Sequence, residues 1–220
     1  MNPYSAVIFD FDGTLAELHL DFPAMKRKLT AMGRMFLESA IEEEPGAALE
    51  WAEQLALRVE RSLPEQAKEF RTRCRLLITA MELDAAAMGS LFPYSCDLLL
   101  RLRHRGIRTA VITRNCTAAV RRVFPDLERF CDAFLAREDV DRVKPDPGHA
   151  LEAARRLRVR PRDCLLVGDH PIDMETARRA GMGSGAVTTG RMDEQELGKC
   201  RPDFLQRNAA ELVDAVFGKE

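Results

Sequence analysis

The sequence predicts an α/β fold, a parallel sheet covered by helices on both faces, with a small all-helical domain inserted into it. Three observations predict it. From residue 98 onward, short apolar runs alternate with segments of helical spacing, the pattern of strands joined by crossover helices. Near the start, the apolar run Ala6-Val7-Ile8-Phe9 breaks off in Asp10-Phe11-Asp12-Gly13. Between residues 16 and 92 the alternation stops and only helical spacing remains.

The first run has the length of a buried strand, and side-chain alternation puts Asp10 and Asp12 on one side of it. Two like charges at a strand end repel unless they share a cation or a proton. The pair therefore reads as a metal site or an acid/base pair. A strand running into an Asx-Gly turn is the plain alternative. A calcium loop is excluded, because regular acidic positions and a closing Glu are missing after Gly13.

In the helical stretch, Asp21 is placed to cap a helix with Phe22, Met25, Leu29, Met32 and Phe36 on one stripe. Pro45-Gly46 interrupts, and Ala48, Ala52, Leu55 and Val59 resume the spacing. After Pro64 it continues through Ala67, Phe70, Cys74, Leu77 and Met81. Such stripes are buried helix faces rather than ligand sets. The expected division is a core domain of residues 1–15 and 93–220 and a helical domain of residues 16–92.

The second half predicts a helix over 98–105 ended by Gly106, a strand over 107–113 and a helix over 117–124. A short strand over 133–136 and a helix over 147–157 follow. Next come a strand over 164–167 ending in Gly168-Asp169 and a helix over 173–180 stopped by Gly181. A last strand over 185–188 and a closing helix over 208–217 complete the series.

Composition narrows the function classes. With 46% hydrophobic and 31% charged residues and a net charge of −2, the composition gives no hint of a nucleic-acid or membrane surface. No apolar stretch approaches the ~20 residues of a membrane span, and the first strand begins too early for a secretory leader. The six cysteines are scattered without a Cys-x-x-Cys pair, as expected of buried small hydrophobes in a reducing compartment. A cytoplasmic location is expected.

Chemistry-bearing residues fall at the carboxyl ends of the predicted strands: Asp10 and Asp12 after the first, Thr113 after the second, Lys144 after the third, Asp169 and Asp173 after the fourth. Open parallel sheets bind ligands in the crevice outside those ends. Carboxylates, a hydroxyl and an ammonium converging there suit a phosphate and a divalent cation.

On these residues the chain resembles the haloacid dehalogenase-like phosphohydrolases, those similar to phosphoglycolate phosphatase in particular. The motifs are Asp10-Phe11-Asp12-Gly13-Thr14-Leu15, Val111-Ile112-Thr113-Arg114-Asn115, Lys144-Pro145-Asp146-Pro147 and Gly168-Asp169-His170-Pro171-Ile172-Asp173. The likeness spans the chain, since the helical block corresponds to the cap this family inserts after its first motif. It implies a Rossmann-like core and a magnesium-dependent phosphomonoester hydrolase acting on a small phosphorylated metabolite through an aspartyl-phosphate. Asp10 would be the nucleophile. Mg2+ would be held by Asp10, the Asp12 backbone carbonyl and Asp169, with Asp173 in the outer shell or joined through water. Lys144 would neutralise the phosphoryl oxygens, Thr113 and Asn115 would donate to them, and Arg114 could reach the distal end of the substrate.

Asp12 would protonate the leaving alkoxide and then take a proton from water. Its pKa would have to rise from ~3.9 through crowding by carboxylates and closure of the cap. The resemblance also separates subgroups: halide-displacing enzymes need no such acid, and pumps sharing the first motif carry Thr there and span membranes. Phosphoglycolate-like small acids are favoured, with sugar phosphates and nucleotides open; no nucleic-acid polymer or membrane is expected as a partner, and the oligomeric state is not legible. Rival readings are a sugar phosphomutase of the same family, a phospho-accepting receiver module and a non-catalytic binding scaffold. Lesser expectations are that His170 fixes the turn before Pro171, that His19 and Asp21 serve as hinge or cap, that Lys26, Arg27 and Lys28 form a solvated helix face, and that His104 and His149 are structural.

Overall fold

The computed structural model describes residues 3–37, 41–42 and 46–219; Pro45 of the expected interruption lies outside them. The chain divides into two compact units, Met1–Leu18 with Ala86–Glu220, and His19–Ala85. The larger unit therefore takes in residues 16–18 and 86–92, which the sequence had assigned to the helical part. The reason is a two-stranded antiparallel ribbon, β2 (Ala16–Glu17) with β3 (Ser90–Leu91), which pairs Ala16 with Leu91 and Glu17 with Ser90. Two residues per strand are too few to register as a period.

The larger unit is built on six parallel strands: β1 (Ala6–Phe9), β4 (Arg108–Ile112), β5 (Ala133–Leu135), β6 (Cys164–Gly168), β7 (Gly183–Val187) and β8 (Phe204–Gln206). Their order is β5-β4-β1-β6-β7-β8. From β1 the chain steps outward to β4 and β5, then returns to the other flank of β1 to build β6, β7 and β8. The strand order thus reverses at β1, the switch point where open α/β sheets leave a crevice. Residues 6 to 9 are all fully buried, which is why this central strand reads as an unbroken apolar run.

Helices α4 (Ser95–His104), α5 (Thr117–Val123), α6 (Pro147–Leu157), α7 (Pro171–Ala180), α8 (Glu194–Lys199) and α9 (Ala209–Phe217) surround the sheet. Ala6 and Ile8 share a core with Ala110, Leu135 and Leu166 and with Ala150, Ala153 and Ala154 of α6 and Ala177 of α7. Val7 and Phe9, equally buried, face the other way by alternation. Alanines on α6 let that helix lie close to the strands. α4 and α9 are joined by the Arg101–Asp214 ion pair at 2.9 Å and lie against β4 and against β7 and β8 respectively.

Other elements differ from expectation. β8 and the short α8 were not anticipated, since three and six residues leave no readable period. α7 begins at Pro171 rather than 173, because His170 Nδ1 accepts from the Ile172 N–H at 3.2 Å and Asp173 Oδ2 reaches back to the His170 N–H at the same distance. His170 thus does fix the turn before Pro171.

The smaller unit holds α1 (Phe22–Gly33), α2 (Ala48–Ser62) and most of α3 (Ala67–Met88). Asp21 caps α1 by accepting from the Ala24 N–H at 2.8 Å. Met25, Leu29, Trp51, Leu55, Val59, Phe70, Cys74 and Ile78 form its core. The buried Trp51 Nε1–H is satisfied by Thr30 Oγ1 at 2.9 Å. Phe22, expected on the buried stripe, is exposed at the helix start. Lys26 is not simply solvated: its ammonium stands 5.7 Å from the Trp51 ring centroid. Among the described residues, no helix is long and apolar enough to cross a membrane. The six cysteines are free thiols.

Candidate active site

The site begins where β1 stops. The strand ends at Phe9, so alternation does not carry through to Asp12 as expected; Asp10 and Asp12 are set instead by a tight turn. In it the Phe11 carbonyl accepts from the N–H groups of Leu15 and Ala16, both at 2.9 Å, and Gly13 takes φ +80°, where a side chain would be strained. Asp10 is anchored to β6 by its N–H to the Val167 carbonyl at 2.8 Å. Tyr94 and Ser95 hydroxyls hold the far side of the turn by donating to the Thr14 and Leu15 carbonyls at 2.8 and 2.6 Å.

Lys144 is 1% exposed, and its ammonium donates to Asp10 Oδ1 at 2.8 Å and Asp173 Oδ1 at 2.6 Å. Asp10, Asp169 and Asp173 each offer a carboxylate oxygen, all within 4.8 Å of one another. The Asp12 carboxylate stands outside that group and accepts from the Leu18 N–H at 2.8 Å. Any metal role for Asp12 therefore rests on its backbone carbonyl, as the resemblance implied. Asp173 is more committed than expected, with one oxygen on Lys144 and the other on the His170 N–H.

Thr113 follows β4, with its N–H on the Leu135 carbonyl at 3.0 Å and its hydroxyl accepting from the Asn115 N–H at 3.1 Å. Both side chains are buried at the sheet edge beside β1, whereas Arg114 between them is partly exposed. His19 and His104 are exposed.

A family model described as haloacid dehalogenase-like hydrolase matches residues 4–181. The chain belongs to that family. It is similar to PpaX of Caldanaerobacter subterraneus, provisionally named a pyrophosphatase, at 32% identity over 56% of each chain. It is similar to a phosphoglycolate phosphatase of Shigella dysenteriae at 25% identity, over 96% of this chain and 91% of that one. Its fold is like that of a hydrolase from Pseudomonas syringae, with a TM-score of 0.66, 21% identity and 96% of each chain covered. Among the haloacid dehalogenase-like enzymes it is of the phosphatase kind.

The electrostatics of this hydrolase suit that chemistry. Burial raises Asp10 to about 6; the Lys144 charge pulls it down and the Asp173 charge pushes it up. Burial likewise raises Asp12 to about 7, the Leu18 N–H working against it and the Asp10 charge adding to it. The rise expected of Asp12 thus comes chiefly from desolvation, with carboxylate crowding a lesser cause. Asp169 is raised well above the carboxylate range by burial and by the charges of Asp10, Asp173 and Asp12. Burial works against charge on Lys144, but the two adjacent carboxylates outweigh it and raise its pKa.

One ammonium thus faces three carboxylates, Asp169 and Asp173 buried and Asp10 half-buried. Each like-charge pair at 4 Å is worth about 4 kcal/mol at an effective dielectric near 20. A hard dication among all-oxygen donors answers that imbalance, and Mg2+ fits the donor set of Asp10, Asp169 and Asp173.

Glycines make room for the cluster, one of them missed in the sequence. A Cβ on Gly13 would stand 2.4 Å from Asp169 Oδ2, and on Gly190 only 1.7 Å from the same atom. A Cβ on Gly168 would stand 2.2 Å from Asp173 Cγ. Next to Gly190, the Thr189 hydroxyl donates to the Gly13 carbonyl at 2.5 Å, pinning the loop after β7 to the first motif. The available signal was a glycine two residues past a predicted strand end, in the region that places ligand-facing residues in such sheets. Gly190→Ala is expected to displace the Asp169 carboxylate and weaken magnesium activation about tenfold or more, while the urea midpoint changes little. A magnesium titration of turnover checks this; an unchanged half-saturation would show that Asp169 needs no such fit.

Proposed function

We propose that this hydrolase is a magnesium-dependent phosphomonoesterase that releases inorganic phosphate from a small phosphorylated acid through an aspartyl-phosphate on Asp10. The carrying observation is a second, half-buried carboxyl, Asp12, two residues past Asp10, with its pKa raised to about 7. An acid that is half protonated near neutrality is matched to protonating an alkoxide and then deprotonating water. Asp10 alone would suffice to accept a phosphoryl group; Asp12 supplies what turnover to free phosphate needs.

In the first step an Asp10 carboxylate oxygen bonds to phosphorus as the ester P–O bond breaks, and Asp12 gives its proton to the departing oxygen. In the second, Asp12 takes a proton from water, whose oxygen attacks phosphorus and displaces Asp10. Lys144, already on Asp10, offsets the negative charge of the incoming phosphoryl group. Thr113, Asn115 and Arg114, at the adjoining strand end, serve as donors to the phosphoryl oxygens and to the rest of the substrate. Asp10, Asp169 and the Asp12 carbonyl would hold magnesium, with Asp173 supporting from Lys144; the ion would offset the repulsion between Asp10 and a phosphate anion.

The relatives support the substrate class. One is named for phosphoglycolate and the other for pyrophosphate, both small and anionic on either side of the scissile bond. The test is a phosphate-release panel with magnesium over phosphoglycolate, pyrophosphate, sugar phosphates and mononucleotides. Isomerised sugar phosphate in place of free phosphate would overturn hydrolysis in favour of a mutase.

Asp12→Asn is expected to lower kcat about 10²- to 10³-fold for an alkyl phosphate. In the wild type, kcat is expected to fall as the pH rises past about 7, because Asp12 then loses the proton it must donate. A p-nitrophenyl phosphate assay isolates the cause, since that leaving group needs little protonation and its first step is expected to survive in the variant. Equal losses on both substrates would remove Asp12 from the acid role.

A further inference from the structure

His149 lies on α6, where two loops of the site meet, and no step above uses it. It is 0% exposed. Its Nε2 stands 3.2 Å from the carbonyl oxygen of Leu135, the last residue of β5, and its Nδ1 is 3.4 Å from the Lys144 backbone nitrogen. A carbonyl can only accept, so Nε2 carries the proton and Nδ1 offers its lone pair to the Lys144 N–H. The second contact is the longer and weaker of the two.

The same Leu135 carbonyl accepts from the Thr113 N–H at 3.0 Å. One chain of hydrogen bonds therefore runs from the Lys144 N–H through the imidazole and the Leu135 carbonyl to the Thr113 N–H. It joins the loop that presents the ammonium to the loop that presents the hydroxyl. Burial, helped by the Lys144 charge, lowers the ring to about 4, so the neutral form this chain requires is the one present near neutrality.

We infer that His149 is a positioning residue for phosphoryl transfer, holding Lys144 and Thr113 at one spacing so that both meet the same phosphoryl group. The inference rests on the phosphatase reading above. Its physical need is clearest during turnover. An esterified Asp10 no longer offers Lys144 a full carboxylate, and Asp173 at 2.6 Å competes for the ammonium. The backbone anchor then keeps the lysine from following Asp173.

Three variants separate positioning from packing. His149→Asn leaves an acceptor near Nδ1, His149→Gln leaves a donor near Nε2, and His149→Phe fills the ring volume with neither. Each breaks the chain at one point or both, so all three are expected to lower kcat about tenfold with KM changed less than about twofold. Affinity for beryllofluoride with magnesium, a mimic of phosphorylated Asp10, should fall by a similar factor, and the three losses should not track the urea midpoints. On the wild type, ¹⁵N NMR should find the Nε2-protonated neutral ring from about pH 5.5 to 9. Variants with wild-type kcat and beryllofluoride affinity, or a ring protonated on Nδ1, would overturn the inference. A wild type that neither releases phosphate nor binds beryllofluoride would overturn the phosphatase reading, and the positioning role of His149 with it, whatever tautomer the NMR finds.

Discussion

Replacing Asp10 by Asn is expected to lower phosphate release by about 10⁴-fold or more, the size of loss that follows removal of a nucleophile acting as a unit with its neighbours. The amide keeps the shape and can still meet the Lys144 ammonium through its carbonyl, but it is no nucleophile toward a phosphate ester. The fold has no reason to fail. Lys144 retains Asp173 at 2.6 Å, and the buried cluster loses one of its excess negative charges. Apo Asp10→Asn is therefore expected to unfold at an equal or higher urea concentration than the wild type at pH 8. The sign follows from the raised pKa of about 6: a carboxyl whose folded value exceeds its unfolded one carries a penalty that grows as the pH rises from about 4 through 6. Removing the charge removes the penalty. Beryllofluoride, which adds to a carboxylate oxygen and not to an amide, should stabilise the wild type and leave the variant unmoved. Phosphate release that survives the substitution would mean another nucleophile, and the reading of the site would have to be rebuilt.

Lys144→Met is expected to have the largest effect on stability. The residue is buried, its stem fills space that Met can fill, and its charge is the ammonium set among Asp10, Asp169 and Asp173. Removing one partner of a buried ion pair leaves uncompensated charge, a loss of about 3–5 kcal/mol in well-buried cases. The deficit should depend on pH in a definite direction. Without the ammonium, Asp10 loses the nearby cation that holds its pKa down and binds protons more readily. The variant's penalty then grows between about pH 4 and neutrality and is smaller at pH 5 than at pH 8. Millimolar magnesium should recover part of the pH 8 deficit by binding the folded state alone. Catalysis should not recover with it, since the phosphoryl oxygens would still lack their fixed cation; kcat should stay down by about 10²-fold or more. Urea unfolding at the two pH values, with and without magnesium, checks all three statements. A variant equally stable at both values would mean that the carboxylates are already protonated beside Lys144.

Much of this is legible in the sequence. Fully buried strands such as β1 and β6 announce themselves because both faces must be apolar, and parallel pairing needs helices between them. The chemistry-bearing residues could be grouped because each follows such a strand, and one sheet edge gathers every strand's carboxyl end. Asp10, Lys144, Asp169 and Asp173 do meet there. Short elements escaped: β2, β3 and β8 have two or three residues, less than the pattern needs to repeat. Gly190 and His149 escaped for a different reason. Each acts on a residue remote in sequence or by a bond to backbone, and neither leaves a periodic trace.

The identity of the reacting groups and their arrival at one edge belong to the sequence itself, because residue type fixes the chemistry and apolar periodicity fixes which segments become strands. What the tertiary structure decided is their electrical state. The pKa values of Asp10 and Asp12, the division of Asp173 between Lys144 and the start of α7, and the wedging of Asp169 between two glycines depend on distances of a few ångströms and on exclusion of water. Those arise only when several separate segments of the chain are packed together.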